Sequence, residues 1–224
     1  MNNPHIIDNQ LDVTELHPAG TTLINLLSIF NSEFSGKNIE ICNQHPLSIP
    51  QPYRRLLVHS QDMTPTLEEF YNCRLGLKVL NRFHQENHYY REVLLVYPGG
   101  KPVEYGAIRI HLEWFSASLQ TLILSESLPL GRILQDSALP HLSWPQGFFS
   151  ITSTEYLRTH LNTDNAGKFY GRRNVLLNMN KRLLAEVVEI LSPANSINME
   201  NTISDRTNTM TTSKSVGLFA SYTT

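Results

Sequence analysis

Three stretches of the chain carry charged side chains inside otherwise apolar runs, and these could do chemistry. Arg91 stands within Tyr89-Tyr90-Arg91-Glu92-Val93-Leu94-Leu95-Val96, whose aromatic and β-branched composition predicts a strand. Tyr89, Val93 and Leu95 share its face while Tyr90 and Leu94 share the other, so alternation does not say which face is buried. An inward arginine needs a carboxylate from the protein or from a ligand, because an unpaired buried charge is strongly unfavourable. An outward one lays its stem over the sheet and keeps its head in water.

The stretch from Leu183 to Leu191 poses the same question. Glu189 shares a face with Val187 and Leu191, and Glu186 shares the opposite face with Leu184 and Val188, so one of the two should face the core. A carboxyl there has a raised pKa unless an arginine holds it ionised, and either state suits proton handling at a pocket wall. An internal ion pair with an arginine is the alternative. In Tyr170-Gly171-Arg172-Arg173-Asn174 the adjacent arginines point to opposite faces, so at most one serves a pocket and the other anchors loops. Gly171 permits a backbone conformation or a close approach that a side chain would forbid.

Other chemistries lack their signatures. The chain has no G-x-S-x-G, G-x-x-x-x-G-K-[ST], G-x-G-x-x-G or H-E-x-x-H, so the common nucleophile, nucleotide and zinc motifs are missing. Of the nine histidines, His84 and His88 form the one close pair at helical spacing, but Asn81 to His88 reads as a loop, and no metal site is expected. Cys42 and Cys73 lack C-x-x-C spacing and are expected to be reduced thiols. Eighteen basic against twenty acidic side chains leave a formal charge of -2, which advertises no nucleic-acid partner. Met1 to His17 has acidic residues and no arginine, unlike a targeting segment, and no apolar run approaches the roughly 20 residues of a membrane span.

These side chains must be held by a framework. At 224 residues and 41% hydrophobic content, one domain with a substantial core is expected. It should span residues 20–193, after a loose segment at residues 1–19 and before an Asn/Thr/Ser-rich, disordered tail at residues 194–224. Thr21 or Thr22 can cap a helix bearing Leu23, Leu26, Leu27 and Phe30, and Thr64 followed by Pro65 resembles another helix start. Tyr97 to Lys101 is a turn returning the Arg91 strand through Val103 to Leu112. Helices follow at Ser116 to Leu124 and, past Pro129, at Leu130 to Leu134. Phe148 to Thr152 is a short strand, and Arg173 to Leu177 with Leu183 to Leu191 forms a second hairpin. Strand pairs joined by tight turns, with helices in separate runs, indicate an antiparallel α+β fold.

Taken together, Asp62-Met63-Thr64, Tyr90-Arg91-Glu92-Val93-Leu94-Leu95, Pro129-Leu130-Gly131-Arg132-Ile133-Leu134, Tyr170-Gly171-Arg172-Arg173 and Glu189-Ile190-Leu191-Ser192-Pro193 resemble the chorismate pyruvate-lyase family in order and spacing. The stretch Glu186 to Leu191 resembles its cyanobacterial and plastid branch. The resemblance implies a single antiparallel β-sheet with helices packed on one face, enclosing a buried ligand pocket. It implies Arg91 and Glu189 as the catalytic pair, Arg91 holding a substrate carboxylate and Glu189 facing the other end of the ring. Met63 and Leu130 would touch the ligand through backbone groups. The last strand is two residues longer than in the proteobacterial pattern, which leaves Glu186 as the fallback for Glu189.

The implied activity removes pyruvate from chorismate to leave 4-hydroxybenzoate, an aromatic precursor for quinone biosynthesis such as that of plastoquinone. No cofactor or metal is implied. The expected protein is a monomer of the cytoplasm or plastid stroma, binding a small molecule and neither nucleic acid nor membrane. The alternative is a non-catalytic effector-binding module of the same fold that holds small anions, as in bacterial regulators, although no helix-turn-helix region precedes the domain and no basic face is evident. The composition of the tail makes one prediction: deleting Asn195 to Thr224 should leave the melting temperature within a few degrees of the parent, as measured by calorimetry.

Overall fold

The computed structural model describes residues 23–36, 39–164 and 166–193; the expected cap at Thr21 or Thr22, the loose segment at residues 1–19 and the tail at residues 194–224 lie outside them. In chain order the elements are α1 (Leu23–Phe30), β1 (Ile41–Gln44), α2 (Tyr53–Leu57), α3 (Met63–Tyr71), β2 (Gly76–Gln85), β3 (His88–Val96), β4 (Pro102–His111), α4 (Ala117–Leu124), α5 (Leu130–Asp136), β5 (His141–Thr152), α6 (Glu155–His160), β6 (Lys168–Asn178) and β7 (Leu183–Leu191). The seven strands form one sheet in the order β1-β5-β6-β7-β4-β3-β2, and every neighbouring pair is antiparallel. This is the α+β architecture with a single antiparallel sheet that the hairpin signals indicate.

Side-chain parity in β3, β4 and β7 sorts the core into two layers. On one face Tyr89, Ile108 and Ile110 pack with Ile123 of α4 and with Leu130, Ile133 and Leu134 of α5. On the other, Tyr90, Leu94, Tyr105, Ala107, Val188 and Ile190 meet Leu26 and Leu27 of α1 and Leu157 of α6. Helices α2 to α5 thus lie on one side, as anticipated, and two further helices cover part of the reverse side. Double coverage explains why alternation is unreadable in the central strands: β3 is buried at seven consecutive positions, Tyr89 to Leu95, and a strand buried on both faces is apolar on both.

Several element boundaries differ from the sequence expectation. Asn81 to His88 is not a loop: β2 runs to Gln85, and the chain turns at Glu86 and Asn87, with Glu86 in the left-handed region (φ 55°). As part of an edge strand with much of its surface in water, the end of β2 from Asn81 to Gln85 is polar except for Phe83 and so lacks an apolar signature. What pins it is a stacked pair across the hairpin, Phe83 on Tyr90 at 4.7 Å. Strand β5 begins at His141 instead of Phe148; Pro145 is tolerated because the register with β6 shifts between Pro145 and Gly147. Helix α3 starts at Met63, with Asp62 as its N-cap residue. Pro65 still fits, since the amides of a first turn have no intrahelical acceptor.

Gly171 is required by close approach. A Cβ there would lie 2.4 Å from the Glu189 carbonyl oxygen and 2.6 Å from the Phe149 ring, both well inside contact distance. We expect Gly171→Ala to force β6 away from β7 and cost roughly 3 kcal/mol, measured as a loss of unfolding free energy in urea; a change below about 0.5 kcal/mol would mean the strands yield freely.

Candidate functional site

The face of β6, β7, β4 and β3 that lies under α3 and α5 forms the floor of a pocket, and the first turns of those helices form its roof. Among the described residues, seven carry buried side-chain nitrogen or oxygen atoms without a hydrogen-bond partner, and four of these line this pocket: Asp62, Arg91, Glu104 and Asn174. Buried polar groups are nearly always satisfied, so four such groups converging on one cavity mark it as built for a polar ligand.

Arg91 is 1% exposed, and its Nε and Nη1 meet no acceptor. The nearby carboxylate, Glu126, is already engaged: it accepts from the Tyr89 hydroxyl and pairs with Arg82 at 2.8 Å. Burial pulls the Arg91 pKa below its usual range, while Tyr89 and Glu126 oppose the shift. A guanidinium nevertheless stays charged in proteins, so Arg91 presents an uncompensated positive charge to the pocket.

Glu189 and Arg172 face one another across β7 and β6 and form an ion pair through Arg172 Nε. Arg172 is 0% exposed. Its terminal nitrogens donate to the carbonyls of Leu57 (3.3 Å), His59 (3.1 Å) and Gln61 (3.1 Å), which binds the segment between α2 and α3 to the sheet. Burial, and then the charge of Arg172, lower the pKa of His59, so this imidazole adds no second charge. One arginine therefore both pairs with the pocket carboxylate and anchors the loop, roles that sequence reasoning divided between Arg172 and Arg173.

Met63 and Leu130 are the first residues of α3 and α5, and both line the pocket. Their amides have no intrahelical carbonyl to bond, which gives the expected backbone contacts a physical basis. An ion pair between Glu68 and Arg132 ties the two helices together, and Asp62 accepts a 2.8 Å bond from His141 Nε2, whose pKa is raised chiefly by that bond.

Arg91, Glu189, Met63 and Leu130 are thus brought to one pocket, and Glu186 is not. Both glutamates of β7 are buried, against the expectation of one, because each has an arginine across the ladder. Glu186 lies opposite Arg109 and pairs with it on the reverse face of the sheet. Glu104, Asn174 and Asp62 escaped the sequence reading. Glu104 carried the signal that singled out Glu189, a carboxylate in an apolar strand; Asn174 and Asp62 carried none.

No known protein-family signature matches the chain, and no curated protein matches it. Similar solved structures include PhnF from Mycobacterium smegmatis, 8% identical over 63% of this chain and 67% of that one, with a TM-score of 0.46. The C-terminal domain of the histidine utilization repressor from Pseudomonas syringae pv. tomato is 9% identical over 56% of this chain and 96% of its own, at 0.40. A GntR-family transcriptional regulator from Bacillus cereus is 12% identical over 53% and 92%, also at 0.40. Likeness at this level assigns no function.

Removing Arg172 leaves Glu189 buried without a cation. Arg172→Met should lower stability by about 3–5 kcal/mol, and the double variant Arg172→Met/Glu189→Leu should regain much of that loss. Chemical denaturation of the three proteins checks it; equal losses in the single and double variants would show that the loop carbonyls, not the ion pair, carry the effect.

Proposed function

We propose that this chain is a chorismate pyruvate-lyase that releases pyruvate and leaves 4-hydroxybenzoate. The observation that supports it above the others is the unpartnered Arg91 guanidinium at the wall of a pocket whose carboxylate Glu189 is already paired with Arg172 behind it. Arg91 is thus a buried cation of the pocket with no acceptor on two of its nitrogens, a place that the carboxylate of a ring acid fills. A planar guanidinium binds a carboxylate through two parallel hydrogen bonds, and does so strongly away from water.

The reaction asks for orientation and electrostatics. The enolpyruvyl C–O bond breaks, a ring C–H proton leaves as the ring aromatises, and the enolate takes up a proton to become pyruvate; no electrons are exchanged with another reagent. Arg91 holds the ring carboxylate. The amides at Met63 and Leu130 face the rest of the ligand, where the positive ends of two helices favour a second anionic group. Glu189, paired with Arg172, faces the far end of the ring. Fixing the substrate in a reactive geometry supplies a large part of the barrier reduction in reactions of this kind.

A second reading, a non-catalytic module that binds a small anion, is favoured by one feature: the Arg172 contact makes Glu189 a held strut and not a free acid or base. The two readings part on whether purified protein turns chorismate over. The lyase reading expects chorismate-dependent pyruvate release, unchanged after exhaustive chelation, with 4-hydroxybenzoate formed in equal amount by absorbance. Arg91→Ala should abolish turnover and weaken 4-hydroxybenzoate binding by about thirtyfold or more, the equivalent of roughly 2 kcal/mol or greater for a desolvated charge contact. Arg91→Lys should recover part of the binding only, and Glu186→Gln should leave turnover near the parent. Binding without pyruvate release would establish the module instead; activity restored by a divalent ion after chelation would refute the metal-free reaction.

A further inference from the structure

We propose that Glu104 is a second recognition carboxyl of this pocket, donating a hydrogen bond to a ligand oxygen at the end remote from Arg91 and so selecting ring carboxylates that carry an oxygen there. This rests on the reading of the pocket as a ring-carboxylate site and adds to it the group that reads the opposite end.

The placement follows from register. Arg91 lies opposite Ile108 on β4, and Glu104 is four residues earlier on the same strand. Their backbones therefore stand on one face about 13 Å apart along the strand direction, at ~3.3 Å per residue. Between them is Gly106, paired with Glu189 on the neighbouring strand. A Cβ at Gly106 would sit 3.1 Å from Val93 Cγ2 and 3.6 Å from Glu104 Oε1. The missing side chain leaves the floor clear between the arginine and the glutamate. Glu104 is 4% exposed, lines the pocket, and buries Oε2 without a hydrogen-bond partner.

The charges decide which form of Glu104 is present. Arg172 is taken by Glu189, and no ion pair reaches Glu104 among the described residues. A buried carboxyl beside a carboxylate, with no cation of its own, takes up a proton. Burial raises the Glu104 pKa well above the usual range, Glu189 adds to the rise, and Arg172 opposes it. A protonated carboxyl has an O–H to donate, whereas an ionised one only accepts and would repel an electron-rich oxygen. The two ends of the pocket are therefore a cation and a neutral donor, complementary to a molecule with a carboxylate at one end and a hydroxyl or ether oxygen at the other.

The test uses titration calorimetry of the full-length protein at neutral pH with 4-hydroxybenzoate and with benzoate. The parent should prefer 4-hydroxybenzoate by roughly fivefold to tenfold, the net worth of one hydrogen bond. Glu104→Leu should bind benzoate and lose the preference, while Glu104→Gln, which keeps a donor, should retain most of it. A preference unaltered in Glu104→Leu overturns the proposal and leaves the ring-carboxylate reading standing; failure of the parent to bind either acid overturns both. A second readout covers the case in which the leucine variant does not fold. The parent should show the infrared carbonyl band of a protonated carboxyl, absent from Glu104→Gln and shifted by 4-hydroxybenzoate but not by benzoate. A missing band, or one that ignores the ligand hydroxyl, overturns the proposal.

Discussion

A guanidinium removed from water has to be surrounded by oxygen atoms, and Arg172 meets that requirement by gathering four of them from distant parts of the chain: Glu189 from β7 and the carbonyls of Leu57, His59 and Gln61. This one side chain joins the sheet to the segment that leads into α3. Because α3 begins at Met63, two residues past Gln61, holding that segment also sets where the first turn of the helix meets the floor. Removal of either charge would strand the other in a medium where isolated charges are costly. Pocket geometry and pocket electrostatics are therefore consequences of a single contact.

Neighbouring positions on β3 show the contrast between a charge used for structure and a charge kept for a ligand. Glu92 and Arg91 are equally buried, at 1% exposure. Glu92, on the reverse face, accepts from the hydroxyls of Tyr105 and Tyr156 and is satisfied by the protein. Arg91, one residue away and pointing to the opposite side, has two nitrogens with no acceptor. The sheet thus acts as a partition. On the helix α1 side Glu92 is bonded to tyrosines and Arg109 is paired with Glu186, whereas the buried arginine under α3 and α5 has no ion-pair partner among the described residues.

Much of the framework was legible along the chain, and the boundaries that were missed share a cause. The hairpin ending at Leu191, the turn after Val96 and the helices near Ala117 and Leu130 all carry turn or capping residues at the right spacing. The end of strand β2 was hidden because a register shift between Val79 and Asn81 breaks its alternation and the residues beyond are mostly polar, and the early part of β5 because Pro145 looks like a terminator until a register shift absorbs it. Gly171 was singled out for a possible close approach, and the 2.4 Å separation from the Glu189 carbonyl that a Cβ would suffer is that approach.

The sequence by itself determined the identities of the charged residues, their parity on each strand and hence which of them can share a face. Parity singled out Arg91 and left Glu186 and Glu189 as alternatives, and the family resemblance supplied the choice of Glu189 together with Met63 and Leu130. Only the tertiary structure decided which face holds the pocket, that both Glu186 and Glu189 are buried on opposite sides, that Arg172 is matched and Arg91 is not, and that Glu104 lines the same pocket. The physical reason is that strand parity is a local property of the backbone, whereas burial and pairing depend on what is packed above and across. Helices on both sides of the sheet make the two faces alike in composition, so the distinction between them lies in contacts between residues far apart along the chain, such as His141 with Asp62 at a separation of 79 and Arg172 with Gln61 at 111.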